Sequence, residues 1–158
     1  MAYSGRKSYT YKLQPTPAQA AVLDATLWRC RTLYNVALEQ RIAVWKARGL
    51  TITCYQQQAE LPDVKATFPE YADSHSQVLQ DVLTRLDKAY QAFFRRVKNG
   101  ETPGFPRFQG RSRYHSFTYK QFGNGAKLEG SPDNGFLVLS KIGRIAVRWS
   151  RPLQGTPK

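Results

Sequence analysis

The sequence predicts an α+β fold: a small β-barrel interrupted by an inserted helical bundle with two long helices. Three observations carry that expectation. Residues 8–14 alternate in polarity but have no neighbouring strand to pair with. Two long stretches, 16–48 and 74–100, repeat their apolar residues at helical spacing. After residue 112 the period returns to two. A lone strand is not stable by itself. Residues 8–14 must therefore pair with strands beyond 112, and the block 16–100 becomes an insertion in a β unit.

The elements follow in order. In "SYTYKLQ", Tyr9, Tyr11 and Leu13 share one face and Ser8, Thr10 and Lys12 the other, the mark of a half-buried strand. Thr16 is a good N-cap and Pro17 a good first helical residue. The helix they start runs to about Arg48, where Gly49 stops it. Its stripe is Val22, Leu23, Leu27, Cys30, Tyr34, Ala37 and Leu38. Arg41 falls inside that stripe, so either the helix bends or Arg41 lines a polar interface. "LTITCYQQQAEL" reads as a short extended piece, then a short helix from about Tyr55; Pro62 and Pro69 then break the chain.

The second long helix is capped by Ser74 or Ser76 and ended by Gly100. Its apolar stripe runs from Val78 and Leu79 through Val82, Leu83 and Leu86 to Tyr90, Phe93, Phe94 and Val97. The opposite face carries Gln80, Arg85, Lys88, Gln91, Arg95 and Lys98. Beyond it, "YHSFTYKQF" alternates up to the turn signal "GNG". "AKLEGSPDNG" gives a short strand and a turn, and "FLVLSKIGRIAVRWS" two more strands. In the last, Ile145, Val147 and Trp149 point one way.

Lys and Arg number 24 against 11 Asp and Glu, a net charge of +13. Folding does not require such an excess; it is the footprint of a protein that meets a polyanion, most often nucleic acid. A membrane partner is not expected, because no apolar run approaches the roughly 20 residues a spanning helix needs. The basic N-terminus lacks the apolar segment of a signal peptide, so the expected location is cytoplasmic. Cys30 and Cys54 stand far apart and outside any Cys/His cluster, which discounts a zinc site. The acids, Asp133 among them, fall mostly in turns and on solvent faces. No phosphate-binding Gly loop, nucleophile elbow or HExxH pair is present. His75 sits between Ser74 and Ser76 at a helix start, and adjacency in sequence is not a triad. The chain therefore reads as non-catalytic, with no metal and no cofactor.

Residues 85–115 hold eight basic residues against Asp87 and Glu101. They are Arg85, Lys88, Arg95, Arg96, Lys98, Arg107, Arg111 and Arg113, and Lys120 follows. A basic helix face is often only solvated. Its continuation into the exit loop favours a surface that tracks phosphates. That loop, "TPGFPRFQGRSRY" over 102–114, is stiffened by Pro103 and Pro106. Gly104 and Gly110 allow it to turn. Phe105 and Phe108 are expected to anchor it in the core; stacking on nucleic-acid bases is the alternative. For Tyr114 both remain open.

Three stretches together resemble the N-terminal region of the OrfB/TnpB family encoded by insertion sequences. They are "YKLQPTPAQAAVLDATLWRCRTLYNVAL", "AYQAFFRRVKNG" leading into "GFPRF", and "LSKIGRIAVRW". Each motif alone is weak; their shared order along roughly 8–150 carries the assignment. The family consists of RNA-guided DNA endonucleases of transposons. The resemblance implies an oligonucleotide-binding-type β-barrel, or wedge, from 1–15 and 101–158, with a helical recognition domain inserted at 16–100. It implies guide RNA and the DNA beside a short recognition motif as partners. The metal-dependent nuclease half lies downstream in the family, so this chain is expected to bind without cutting. Tyr34 and Asn35 match the family's "YN", Tyr34 as core and Asn35 as a structural residue. Tyr55 and Gln80 match positions beside the target-adjacent duplex, and Gln suits bidentate adenine contact. The rival readings are a stand-alone DNA-binding regulator and a transposase acting on DNA ends.

Overall fold

A computed structural model describes residues 5–131 and 134–158. Asp133, and the first four residues of the 1–15 segment, lie outside the described residues. Strand β1 covers only Lys12–Gln14, and helix α1 follows at Pro17–Arg48. The start of α1 is dictated locally. The Thr16 hydroxyl accepts from the Gln19 backbone N–H and the Gln19 side chain accepts from the Thr16 N–H, a reciprocal box with Pro17 behind it. Its end is Gly49, held at φ 63°, a conformation glycine enters without penalty.

Two short helices, α2 (Cys54–Ala59) and α3 (Leu61–Thr67), and a 3₁₀ turn at Pro69–Asp73 lead to α4 (Ser76–Lys98). Pro62 and Pro69, expected to break the chain, do not turn it into loop. Each stands in the first turn of a helix, where its missing N–H is not needed. The cap of α4 is also corrected. His75, not either serine, stands at N-cap and its Nδ1 accepts from the Gln77 N–H at 3.2 Å. Ser74 is buried instead and accepts a bond from Arg29 Nη1 at 3.0 Å.

The core lies between α1 and α4: Cys30, Leu33, Tyr34, Ala37 and Leu38 against Val78, Leu79, Val82, Leu83 and Leu86. Val22, assigned to the stripe by spacing, is exposed. Arg29 reaches Ser74, Arg41 reaches Asp87, and Trp45 lines one cavity with Phe93. The contacts advance in the same direction along both helices. Hence α1 and α4 run parallel, with both C-terminal ends at one end of the molecule. Arg41 is a polar interface residue and needs no helix bend. It is buried, with Nε donating to Gln57 Oε1 at 2.9 Å and both terminal nitrogens 3.5 Å from Asp87.

Strands β2 (Gln121–Phe122), β3 (Gly125–Glu129), β4 (Phe136–Leu139) and β5 (Gly143–Arg148) complete a five-stranded sheet in the order β1-β5-β4-β3-β2. The expected pairing of the orphan strand is present: Lys12 lies opposite Arg148 and Leu13 opposite Val147, antiparallel. The expected closure is not. β1 and β2 are the two edges, so the sheet is open and no barrel forms. Tyr9 and Tyr11 lie ahead of the ladder, and Tyr11 meets Trp149 edge to face at 4.9 Å. The sheet sits at the N-terminal ends of the long helices. The Gln19 side chain of α1 donates to the Arg144 carbonyl, and Gly125 lies so close to His75 that a Cβ would stand 2.6 Å from its Nε2.

Candidate nucleic-acid interface

The alternation of "YHSFTYKQF", residues 114–122, suggests a strand. Only Gln121–Phe122 of that run joins the sheet. The rest, with residues 101–113 before it, returns along α1 and α4, from their C-terminal ends to the sheet, without a ladder partner. Side chains of the helices hold it. Phe105 meets Tyr90 and Phe93 edge to face, at 5.6 and 5.3 Å. Asn35 grips the backbone at Gln109, Nδ2 donating to its carbonyl at 2.9 Å and Oδ1 accepting its N–H at 2.7 Å. Asn35 is thus a structural clamp, as its place after Tyr34 suggested. Tyr114 packs on Tyr34, 6.0 Å between ring centroids. Arg85 donates to the Ser116 carbonyl at 2.7 Å and the Thr118 hydroxyl at 2.8 Å.

The return segment is therefore anchored by Pro106 and Tyr114, which are buried. The expectation that Phe105 and Phe108 sink into the core is overturned: they are 47% and 53% exposed. Phe105 lies against Tyr90 and Phe93 near the end of α4, at the surface. Tyr114 is settled as core. Burial pushes its hydroxyl up to about 12, and that hydroxyl finds no hydrogen-bond partner among the described residues. The Arg85 guanidinium stands 5.6 Å from the ring centroid, but its own bonds go to Asp81, Ser116 and Thr118.

The sequence-derived basic residues divide into three groups. Arg95, Arg96 and Lys98 occupy the last turn of α4, where cations also complement the helix dipole. Gly104 is beside them, since a Cβ there would stand 3.7 Å from Arg96 Nη1. Arg107, Arg111 and Arg113 follow on the return segment, the last two around a turn closed by the Arg113 N–H on the Gly110 carbonyl at 3.0 Å. All six, and Lys88, are exposed. None takes part in the three ion pairs found among the described residues, which are Arg41–Asp87, Arg85–Asp81 and Arg144–Glu129. Arg85 stands apart, because its guanidinium is engaged by the protein itself.

Tyr55, Gln80 and Lys120 fall on a second surface. Gln58 of α2 donates to the Gln80 carbonyl and the Thr84 hydroxyl of α4, at 3.4 and 3.5 Å. Lys120 Nζ reaches the same Thr84 hydroxyl at 3.1 Å. Tyr55, one residue into α2, is 83% exposed. The polar face of α4 is thus flanked by α2 on one side and by the return segment on the other.

Sequence reasoning missed one feature of this end of the molecule. Trp45, Lys46 and Arg48, at the end of α1, lie beside the α4 tip. The signal was available in the sequence: the apolar stripe of α4 continues past Leu86 to Tyr90, Phe93 and Phe94, and Ile42 and Trp45 extend that of α1 beside it. Among the described residues, no group of three or more His, Cys, Asp or Glu is gathered as a metal ion would require. No described helix is long and apolar enough to cross a membrane.

Comparison with known proteins agrees with the resemblance read from the sequence. Residues 1–49 match the helix-turn-helix domain model of the IS605 OrfB family. Within its described part that span is one short strand and one unbroken helix, so no second helix enters after a turn. A protein of Streptomyces pristinaespiralis, provisionally named RNA-guided DNA endonuclease, is 29% identical over 94% of this chain. InsQ of Escherichia coli K12, provisionally named the same way, is 30% identical over 96% of it. The chain spans about a third of the length of these relatives, 35% and 36%.

Proposed function

Since the chain carries the OrfB-type domain at its N-terminus and resembles TnpB-like proteins along nearly its whole length, we propose that it is the nucleic-acid-holding part of an RNA-guided DNA endonuclease. It grips guide RNA and the DNA beside a short recognition motif, and leaves strand cleavage to other residues. The observation that carries this reading is the row of exposed, unpaired cations from the α4 tip along the return segment: Arg95, Arg96, Lys98, Arg107, Arg111 and Arg113. Such a row fits regularly spaced phosphates. The helical block 16–100 serves as the recognition unit. The sheet, built from β1 and from the strands beyond residue 120, serves as an oligonucleotide-binding unit although it is open.

Binding is expected to weaken steeply with salt. Each neutralised phosphate adds about 0.9 to the slope of log K against log salt for duplex DNA. Changing Arg95, Arg96 and Arg107 to Glu should make that slope shallower by about 2.7, which is about 40-fold in affinity between 50 and 200 mM salt. Filter binding of wild type and variant to one duplex across that range checks it. A variant with the wild-type slope would move the phosphate surface elsewhere.

Gln80 is assigned to base reading. Its carbonyl, not its side chain, takes the bond from α2. Gln80→Ala should therefore change stability by less than about 0.5 kcal/mol. The same change should cost about 1–3 kcal/mol of discrimination at one base pair. Thermal melts paired with a panel of single-base duplex variants, guide RNA supplied, separate the two. A protein that melts early and keeps its base preference would make Gln80 structural.

A further inference from the structure

A cavity of about 640 Å³ opens where α1 and α4 end. Its walls are mostly apolar and rich in aromatic rings: Trp45 and Leu50 from α1 and its exit, Tyr90, Phe93 and Phe94 from α4, and Phe105 from the return segment. The packed core stops at Leu86, one turn earlier. Beyond it the rings touch one another in a chain. Tyr90 to Phe94 is 6.2 Å, Phe93 to Phe94 is 5.3 Å and Phe93 to Phe105 is 5.3 Å between centroids. Yet Trp45 is 61% and Phe94 57% exposed. Tyr90, Phe93, Phe94 and Phe105 thus hold one another, while Phe94 and Phe105, with Trp45 beside them in the cavity wall, stay largely exposed.

The rim says what fits. Lys46 lines the cavity, and Arg48, Arg95, Arg96 and Lys98 occupy the last turns of the two helices that end there. Glu101 is the acid at this end; Asp87 is held by Arg41 and by Gln91. Helix dipoles account for cations at these ends, but not for an uncovered aromatic cluster between them. A second copy of the chain would set two such basic rims against each other, a repulsion that like charges at an interface resist. A ligand with flat apolar faces carried on a polyanionic backbone meets both requirements. Unpaired nucleic acid is that ligand, because its bases offer π faces while its phosphates meet the rim.

We propose that this groove stacks the bases of a single-stranded nucleic-acid segment. The inference rests on the reading that the chain binds nucleic acid, and adds the form of the strand and where it is held. The test compares three probes: an oligothymidine strand, a strand of equal length with abasic sites in place of the bases, and a duplex of the same length. Wild type should prefer the thymidine strand to the abasic one. The Trp45→Ala/Phe94→Ala double variant should lose about 10- to 100-fold in affinity for the thymidine strand. It should bind the abasic strand and the duplex as wild type does. Trp45→Phe, which keeps a ring, should retain most of the preference, and this variant decides the matter if the double variant melts early. Equal binding of thymidine and abasic strands by wild type, with duplex binding intact, would overturn the stacking groove alone. Failure to bind any of the three would overturn the nucleic-acid reading with it. A wild-type dimer in sedimentation that the double variant dissolves would give the groove to a second copy and overturn the proposal.

Discussion

Raising the pH from 8 to 11 is expected to lower the stability of the protein by about 4 kcal/mol. The buried Cys30 thiol is pushed by burial from an ordinary 9.0 up to about 12, and the Tyr114 hydroxyl from 10.0 up to about 12, again by burial. In both, the folded state keeps a proton that the unfolded chain releases. The unfolded state then binds fewer protons, so stability falls as pH rises, starting near 9 for Cys30 and near 10 for Tyr114. One pH unit is worth about 1.4 kcal/mol per group. By pH 11 the two together should cost about 4 kcal/mol, against a total of about 5–15 for an ordinary domain. Burial shifts Tyr34, Tyr71, Tyr90 and Tyr119 in the same direction. Urea unfolding followed by circular dichroism at pH 8, 9, 10 and 11 reads the effect. Tyr114→Phe should remove its own share of the slope. A midpoint as high at pH 11 as at pH 8 would mean that these groups are hydrated in solution.

Arg41→Met is expected to cost about 3 kcal/mol. Arg41 lies at the centre of a polar chain that joins three helices. Gln57 accepts from Arg41 Nε, donates to the Ala37 carbonyl at 2.9 Å and to Gln40 at 3.0 Å, and Gln40 in turn holds Glu60. The Arg41 guanidinium also covers the Tyr90 ring, 4.9 Å from its centroid. Breaking a buried pair costs about 3–5 kcal/mol when the partner charge is stranded. Here the lower figure applies, because Asp87 is 29% exposed and keeps its bond from Gln91. Adding Gln57→Leu should recover part of the loss, since it removes the acceptor left without a donor. A single variant that melts within about 0.5 kcal/mol of wild type would reduce Arg41 to a surface residue.

What the sequence disclosed, and what it withheld, follows the range of the interactions. Thr16, Pro17, Gln19 and Gly49 act within one helical turn, and the two ends of α1 were legible from them. The burial of Phe117 and Tyr119 against the exposure of Ser116 and Thr118 keeps the alternation that suggested a strand. Alternation reports sidedness, however, and not the identity of the hydrogen-bond partner. That partner is the side chain of Arg85, thirty-one residues earlier for Ser116, which no local pattern encodes. Phe105 and Phe108 resemble core residues in composition; their exposure depends on where the helices end in space. The barrel was expected from the unpaired strand at 8–14 and from the family resemblance, but closure needs β1 to reach β2, and no residue type signals that. At the interface, clustering in sequence found the exposed cations. It could not separate Arg85, which the fold uses, from its neighbours.

The pairing of β1 with β5 bears on how the chain is made. Lys12 and Arg148 are register partners across 136 positions, 148 minus 12. At a synthesis rate of about 5–20 residues per second, roughly 7–27 s separate the appearance of the two strands at the ribosome. Over that interval α1 can find α4 through contacts that are complete once Lys98 has emerged, while β1 waits as an unpaired edge. Its exposed Lys12 and Gln14, and the proline that follows them, make it a poor template for another chain. The nascent protein is thus expected to pack α1 on α4 first and to pair β1 with β5 afterwards. Pairing between two strands so far apart in sequence is then the slow step in forming this sheet.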